Sequence, residues 1–244
     1  MKQFTFLLLL IAFQLSAQAQ PEIGVTLGPG TTWLLNNNAS DQADNLNYST
    51  SFGFQGGLHA GYFFTDNIGL AAELNLATVN QKYEGDFTSV HYEAGDHLTY
   101  ISIPILFQLK TLGGFYFELG PQFNILSSAK GDLTLEDDPF SANYDGRDIE
   151  TGFNKTVVGG TFGMGGRFDL AENMALTAGI RFFGGFGDAT EEFTEEEFNA
   201  LDGDEIGVTV FYAHTDQSGN FRYEKTMEIT GSLMIGFVYV FVKK

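Results

Sequence analysis

Hydrophobic side chains return at every second position in eight separate stretches of this chain. The clearest is the last. Met227, Ile229, Gly231, Leu233, Ile235, Phe237, Tyr239 and Phe241 share one parity, while Glu228, Thr230, Ser232, Met234, Gly236, Val238 and Val240 share the other. A period of two is the signature of a β-strand with two unlike faces. Soluble half-buried strands rarely run this long, and about 9–11 tilted residues are enough for a strand to cross a bilayer. The same pattern predicts strands from Glu22 toward Trp33, Ser51 to Phe64, Ile68 to Leu76, Leu98 to Lys110, Phe115 to Ile125, Thr156 to Phe168 and Leu176 to Phe182.

The spacing between these stretches sorts into two kinds. Thr65-Asp66-Asn67, Thr111 to Gly114 and Asp169 to Asn173 are short turns, and the other connections are long. Short and long connections in strict alternation, with an even number of strands, match a barrel with short periplasmic turns and long extracellular loops. The expected fold is therefore all-β: an eight-stranded antiparallel up-and-down transmembrane β-barrel with both termini in the periplasm. Closure follows from the solvent, because in hydrocarbon every backbone N–H and C=O needs an internal partner and an open edge is forbidden. Pro104 and Pro121 oppose this locally. They predict a bulge or weakened pairing at those positions, in the neighbouring fourth and fifth strands.

Composition and the N-terminus place the barrel. Thirty glycines and an aromatic fraction of 15% suit many crowded or bent strands. Lys2, the apolar run Phe4 to Phe13 and the Ala17-Gln18-Ala19 site form an export leader, residues 1–19, cleaved before Gln20. The apolar run is shorter than the ~20 residues of a spanning helix. What remains, residues 20–244, is about 225 residues, the size of one large β domain. There are no cysteines, hence no disulfides, thiolate metal site or lipidated N-terminus, which suits a bacterial envelope.

Two segments carry a family resemblance. Tyr100-Ile-Ser-Ile-Pro-Ile-Leu-Phe107 and Phe115-Tyr-Phe-Glu-Leu-Gly-Pro-Gln-Phe123 resemble paired central strands of the PorT-like outer-membrane β-barrel proteins of Bacteroidota, and the likeness extends from about Pro21 to Lys244. It implies a bacterial outer-membrane location, surrounding lipid and insertion by the barrel assembly machinery. Many such barrels end on an aromatic residue, whereas here Phe241 is followed by Val242-Lys243-Lys244.

Charge narrows the function. The net charge is −19, and the acids gather between the strands rather than on the apolar parities. Such a chain has no basic patch for nucleic acid. Acidic loops keep a surface solvated and mutually repelling. Asp202-Gly-Asp204-Glu205 also has the carboxylate density and glycine of a Ca²⁺ loop, without the full EF-hand spacing. Thr194 to Leu201 predicts a short helix capped by Thr194. Ile206 to Tyr212 alternates like a strand that could pair with Asn220 to Lys225, either above the membrane or as two further membrane strands.

The inward parity offers candidate chemistry at His59, Glu73, Glu118, Arg167 and Arg181. An eight-stranded barrel is just wide enough for side chains to fill, so these residues predict a paired polar network across the lumen. His91 and His97 could meet near Asp96, but no G-x-S-x-G motif accompanies them, and the Gly159 to Gly166 run lies in a strand with no following helix. The expectation is a monomeric, non-enzymatic barrel without cofactor, whose loops contact divalent cations or a surface partner. A small pore or secretion-associated barrel is the alternative, and an outer-membrane enzyme a more distant one. Mass spectrometry of the mature protein is expected to give Gln20 as its first residue; retention of residues 1–19 would remove the export leader.

Overall fold

The computed structural model describes residues 20–41, 46–87, 90–135, 144–200, 213–215 and 221–241. Eight strands close one antiparallel ring. They are β1 (Gln20–Asn36), β2 (Phe52–Phe63), β3 (Ile68–Phe87), β4 (Val90–Lys110), β5 (Phe115–Leu135), β6 (Thr156–Ala171), β7 (Met174–Gly185) and β8 (Thr226–Val240). Each strand pairs with its neighbours in the chain, and β1 meets β8 from Glu22↔Val240 to Asn36↔Thr226. No backbone edge is left to hydrocarbon, as the bilayer requires.

The apolar parity faces out. Ile23, Val25, Leu27, Leu58, Leu70, Leu74, Ile105, Leu119, Leu233 and Ile235 are all exposed on the barrel wall. Aromatic residues flank this belt. At the periplasmic end Tyr62 and Phe64 meet edge to face at 5.3 Å, and Tyr239 and Phe241 at 5.1 Å. Phe52, Phe54, Phe182 and Phe186 are exposed toward the opposite end. Such girdles mark the two membrane interfaces.

The prolines interrupt the ladders in an orderly way. In an antiparallel strand a residue's N–H and C=O point to the same neighbour, so a proline removes a donor on one side only. Pairing skips Glu73–Leu74 opposite Ile103–Pro104 in β3–β4, yet Pro104 stays paired with Gln122 of β5. Pairing likewise skips Ile105–Leu106 opposite Gly120–Pro121, yet Pro121 stays paired with Gly160. Pro29 does the same between β1 and β8 while facing Phe54 of β2. The weakened pairing expected at the prolines of β4 and β5 is thus present, and the register shift between these two strands lies farther up, between Thr99 and Tyr100.

The largest departure from expectation lies above the membrane. The segment between the third and fourth strands, expected as a long acidic loop, is paired strand in its described residues: β3 runs to Phe87 and β4 begins at Val90, its partner. β5 likewise continues to Leu135 and takes Tyr144–Asp148 as an added partner. Glu84, Asp86, Glu93, Asp96 and Asp132 therefore sit on strands. The alternation persists there but inverts: Tyr83, Leu98, Leu126 and Ala129 turn inward, joined by Leu34, Leu46, Ile149, Phe153, Val157, Phe183 and Ala189. Outside the bilayer, water covers the outer wall, so the barrel interior becomes the place to bury apolar surface. The strand expected over Ile206–Tyr212 lies outside the described residues; within its expected partner segment, Phe221–Tyr223 pairs with Ala213–Thr215 in a separate two-stranded sheet, off the membrane ring.

Gly120 shows how tight the wall is at the proline step. A Cβ there would run into the Ile105 carbonyl oxygen, whereas one at Gly184 would meet nothing. Gly120→Ala is expected to cost about 1–3 kcal/mol of stability by overpacking, read from urea unfolding in lipid vesicles. Gly184→Ala serves as the control and should change it by less than about 1 kcal/mol.

Candidate functional site in the barrel lumen

Within the membrane-spanning part the inward parity delivers one charged or polar residue from nearly every strand. His59 lies directly across from Glu73 on β2–β3, and Gln108 across from Glu118 on β4–β5. Glu118, Gly163 and Arg181 occupy one row across β5, β6 and β7. Gly163 is the reason the outer two can touch, because any side chain there would collide with the Glu118 carboxylate.

Arg181 is the hub. Its Nη1 and Nη2 donate to the two oxygens of Glu73 at 2.6 and 3.0 Å, and its Nε donates to Glu118 Oε1 at 2.7 Å. This is the bidentate fork that suits guanidinium and carboxylate. His59 stands between Glu73 and Glu22, with each ring nitrogen 3.2 Å from a carboxylate oxygen. Glu22 Oε2 then takes Arg167 Nη1 at 3.0 Å and Lys110 Nζ at 3.4 Å. Lys110 closes the column toward the periplasm, its ammonium 3.1 Å from the centre of the Phe63 ring. The space left between these groups is a cavity of about 30 Å³, room for no more than a few waters.

The column continues upward with neutral groups. Asn75 Nδ2 donates to Glu73 Oε2 at 2.9 Å, Thr161 Oγ1 to Gln122 Oε1 at 2.7 Å, Gln122 Nε2 to Asn124 Oδ1 at 2.9 Å, and Asn124 Nδ2 to Glu228 Oε1 at 2.8 Å. Above Glu228 the apolar core begins. Charged and polar groups dominate the lumen from the periplasmic mouth to that level, and the apolar cluster dominates beyond it, with Asn36, Gln81, Asp96 and Thr226 also buried there.

All five lumen residues named from sequence, His59, Glu73, Glu118, Arg167 and Arg181, lie in this column. Sequence reading missed Glu22, Lys110 and Glu228. The parity rule that found the others applies to them too: Glu22 is out of phase with Ile23, Lys110 is in phase with Gln108, and Glu228 is on the mixed face of β8. Asp202, Asp204 and Glu205, the candidate Ca²⁺ ligands, lie outside the described residues. Among the described residues, no group of three or more His, Asp or Glu is placed to hold a metal ion.

The loop histidines do not converge. Asp96 is 2% exposed and faces the interior, while His97 faces out, its Nε2 2.7 Å from Asp132 Oδ2 and its Nδ1 3.0 Å from Asn80 Oδ1. His91 contacts Asp86 instead, at 3.1 Å. Burial alone would raise the Asp132 carboxyl, but the Gly146 N–H and His97 hold it below the usual range. Farther along, Asp188 pins the base of the last long connection: Oδ1 accepts the Thr226 and Thr190 N–H groups, and Oδ2 accepts the Tyr223 hydroxyl at 2.7 Å. The expected helix forms over Glu195–Ala200. Thr194 caps it and Glu197 reaches back to the Thr194 N–H at 2.9 Å, a reciprocal capping box that also lowers the Glu197 carboxyl's proton affinity.

A family model described as outer membrane protein beta-barrel domain matches residues 16–191, well over half of the sequence. The chain belongs to this family. Its place is the bacterial outer membrane, with the apolar belt in lipid. Among solved structures, the barrel is similar to OprG from Pseudomonas aeruginosa, at 13% identity and TM-score 0.45, covering 93% of this chain and 97% of that one. It is also similar to Neisserial surface protein A, at 13% identity and TM-score 0.37, covering 91% and 99%. Ail of Yersinia pestis follows at 11% identity and TM-score 0.32, again covering 91% and 99%. No curated protein matches the chain.

Arg181 is the residue whose loss should hurt the barrel most. Arg181→Ala leaves Glu73 and Glu118 buried against each other, and removing one partner of a buried pair costs about 3–5 kcal/mol. Urea unfolding in vesicles should show that loss, and Arg181→Met combined with Glu73→Gln and Glu118→Gln should recover most of it. Equal stability of Arg181→Ala and wild type would remove Arg181 from its central position.

Proposed function

We propose that this chain is a closed outer-membrane barrel with a structural or surface-binding role, presenting a rigid extracellular platform and passing no solute. The observation that carries the reading is the double seal: an ion-paired column inside the membrane and a packed apolar core above it. A pore of this size would have to open both. The platform is the extended β3–β4–β5 sheet, whose outer face carries Lys82, Glu84, Glu93, His97 and Asp132 in water. Ions or a macromolecular partner meet the chain at this face and at the acidic connections, with the 202–205 segment as the cation-binding stretch. Assembly follows export on a leader spanning residues 1–19 and insertion by the barrel assembly machinery. The Tyr100–Phe107 and Phe115–Phe123 segments support a place among the PorT-like barrels of Bacteroidota.

Catalysis is the weaker reading. The histidine at the outer rim best placed for it, His97, has both ring nitrogens engaged by Asp132 and Asn80. Neither is left to take a proton from a nucleophile.

Purified protein in planar bilayers is expected to stay silent at high protein load, and regular conductance steps would overturn the closed-barrel reading. Replacing residues 192–219 by a short linker should leave the heat-dependent gel shift of a folded barrel intact while abolishing Ca²⁺ uptake measured by calorimetry. Unchanged uptake would move the cation site elsewhere.

A further inference from the structure

The buried carboxylates in the membrane-level part of the lumen are Glu22, Glu73, Glu118 and Glu228, and three of them have cations. Glu73 and Glu118 share Arg181, and Glu22 shares Arg167, Lys110 and His59. Glu228 has none. It is 0% exposed, and the groups that act on it are the Asn124 amide and the Tyr100 hydroxyl, both neutral. A bare carboxylate in such surroundings is strongly disfavoured.

Its neighbourhood is unusual in a second, independent way. Of the five buried side-chain atoms without a hydrogen-bond partner among the described residues, four are here: Glu228 Oε2, Tyr100 OH, Ser102 Oγ and Asn75 Oδ1. The pairing register assembles them. Asn75 lies across from Ser102, and Ser102 across from Asn124. Tyr100 is the next inward residue on β4, and Glu228 reaches from β8 to Asn124 at 2.8 Å. The Tyr100 hydroxyl lies beside the Glu228 carboxyl, close enough to act on it as a hydrogen-bond donor yet outside strict hydrogen-bond geometry. Ser102 Oγ and Asn75 Oδ1 thus stay unmatched on inward positions beside this patch, and Tyr100 OH and Glu228 Oε2 have at most each other. Native interiors seldom leave such atoms unmatched unless something occupies the place.

We propose that Glu228, Tyr100, Ser102 and Asn75 form a buried site for one monovalent cation. Glu228 supplies the charge and the others supply neutral oxygen ligands. An all-oxygen set selects a hard ion, and one carboxylate balances one unit of charge. A proton and a sodium-sized ion satisfy the same chemistry.

The test uses the full mature protein in detergent, with Glu228→Gln as the isosteric neutral variant and Ser102→Ala as a second. If the occupant is sodium-sized, replacing choline chloride by sodium chloride at constant ionic strength should raise the wild-type melting temperature by several degrees. Glu228→Gln should abolish that shift and Ser102→Ala should weaken it. If the occupant is a proton, infrared difference spectra at neutral pH should contain a protonated carboxylic C=O stretch that disappears in Glu228→Gln, with no sodium dependence. An ionised Glu228 by infrared together with no sodium dependence would overturn the proposal. So would a Glu228→Gln variant that folds but is several-fold less populated in the folded state under both salts, since that would mean a structural counter-charge had been broken.

Discussion

Everything in this molecule depends on one demand: inside hydrocarbon, each peptide group must find its partner in the chain itself. The demand closes the sheet, and closure at eight strands fixes a narrow lumen. A narrow lumen must be filled, and residues facing away from lipid fill it with charge. The Arg181 hub and the Glu22–His59–Glu73 chain are therefore consequences of ring size as much as of any selected activity. The same demand explains the placement of the prolines. Each one forfeits a donor toward one neighbour while keeping its place beside the other, so no strand is severed on both sides at once.

The second organising fact is that one continuous sheet serves two solvents. Below the outer interface the wall is apolar and the interior polar; above it the arrangement is reversed. The reversal does not need a break in the sheet. Inward positions on β3 pass from Glu73 and Asn75 to Val79 and Tyr83 without changing phase, and outward ones from Leu74 and Leu76 to Lys82 and Glu84. On β5 the phase does slip, at the bulge opposite Thr99–Tyr100, just past Ile125 where the apolar outer face ends.

The sequence made the membrane-spanning part legible because large side chains on one parity leave an unmistakable record. Ile23, Leu58, Leu74, Ile105, Leu119 and Leu233 all lie where alternation put them. Polar groups on the opposite parity were legible as a class, and His59, Glu73, Glu118, Arg167 and Arg181 came together. Which acid meets which base was not legible, because it depends on stagger: Gly163 lets Glu118 and Arg181 reach across β6, and nothing local announces that. Glu22 and Lys110 were overlooked for sitting at strand ends. The extensions of β3, β4 and β5 were read as loops because their outer faces are acidic and water-facing, which removes the apolar cue while leaving the alternation intact.

The pairing of β1 with β8 has a consequence in time. Its partners, from Glu22 with Val240 to Asn36 with Thr226, lie nearly a whole chain length apart, so this is the most non-local contact the fold contains. Contacts of that kind form slowly, and until they form the chain carries two unpaired strand edges. No shorter piece beginning at the N-terminus can complete the ring. The ring is complete only when the last strand finds the first.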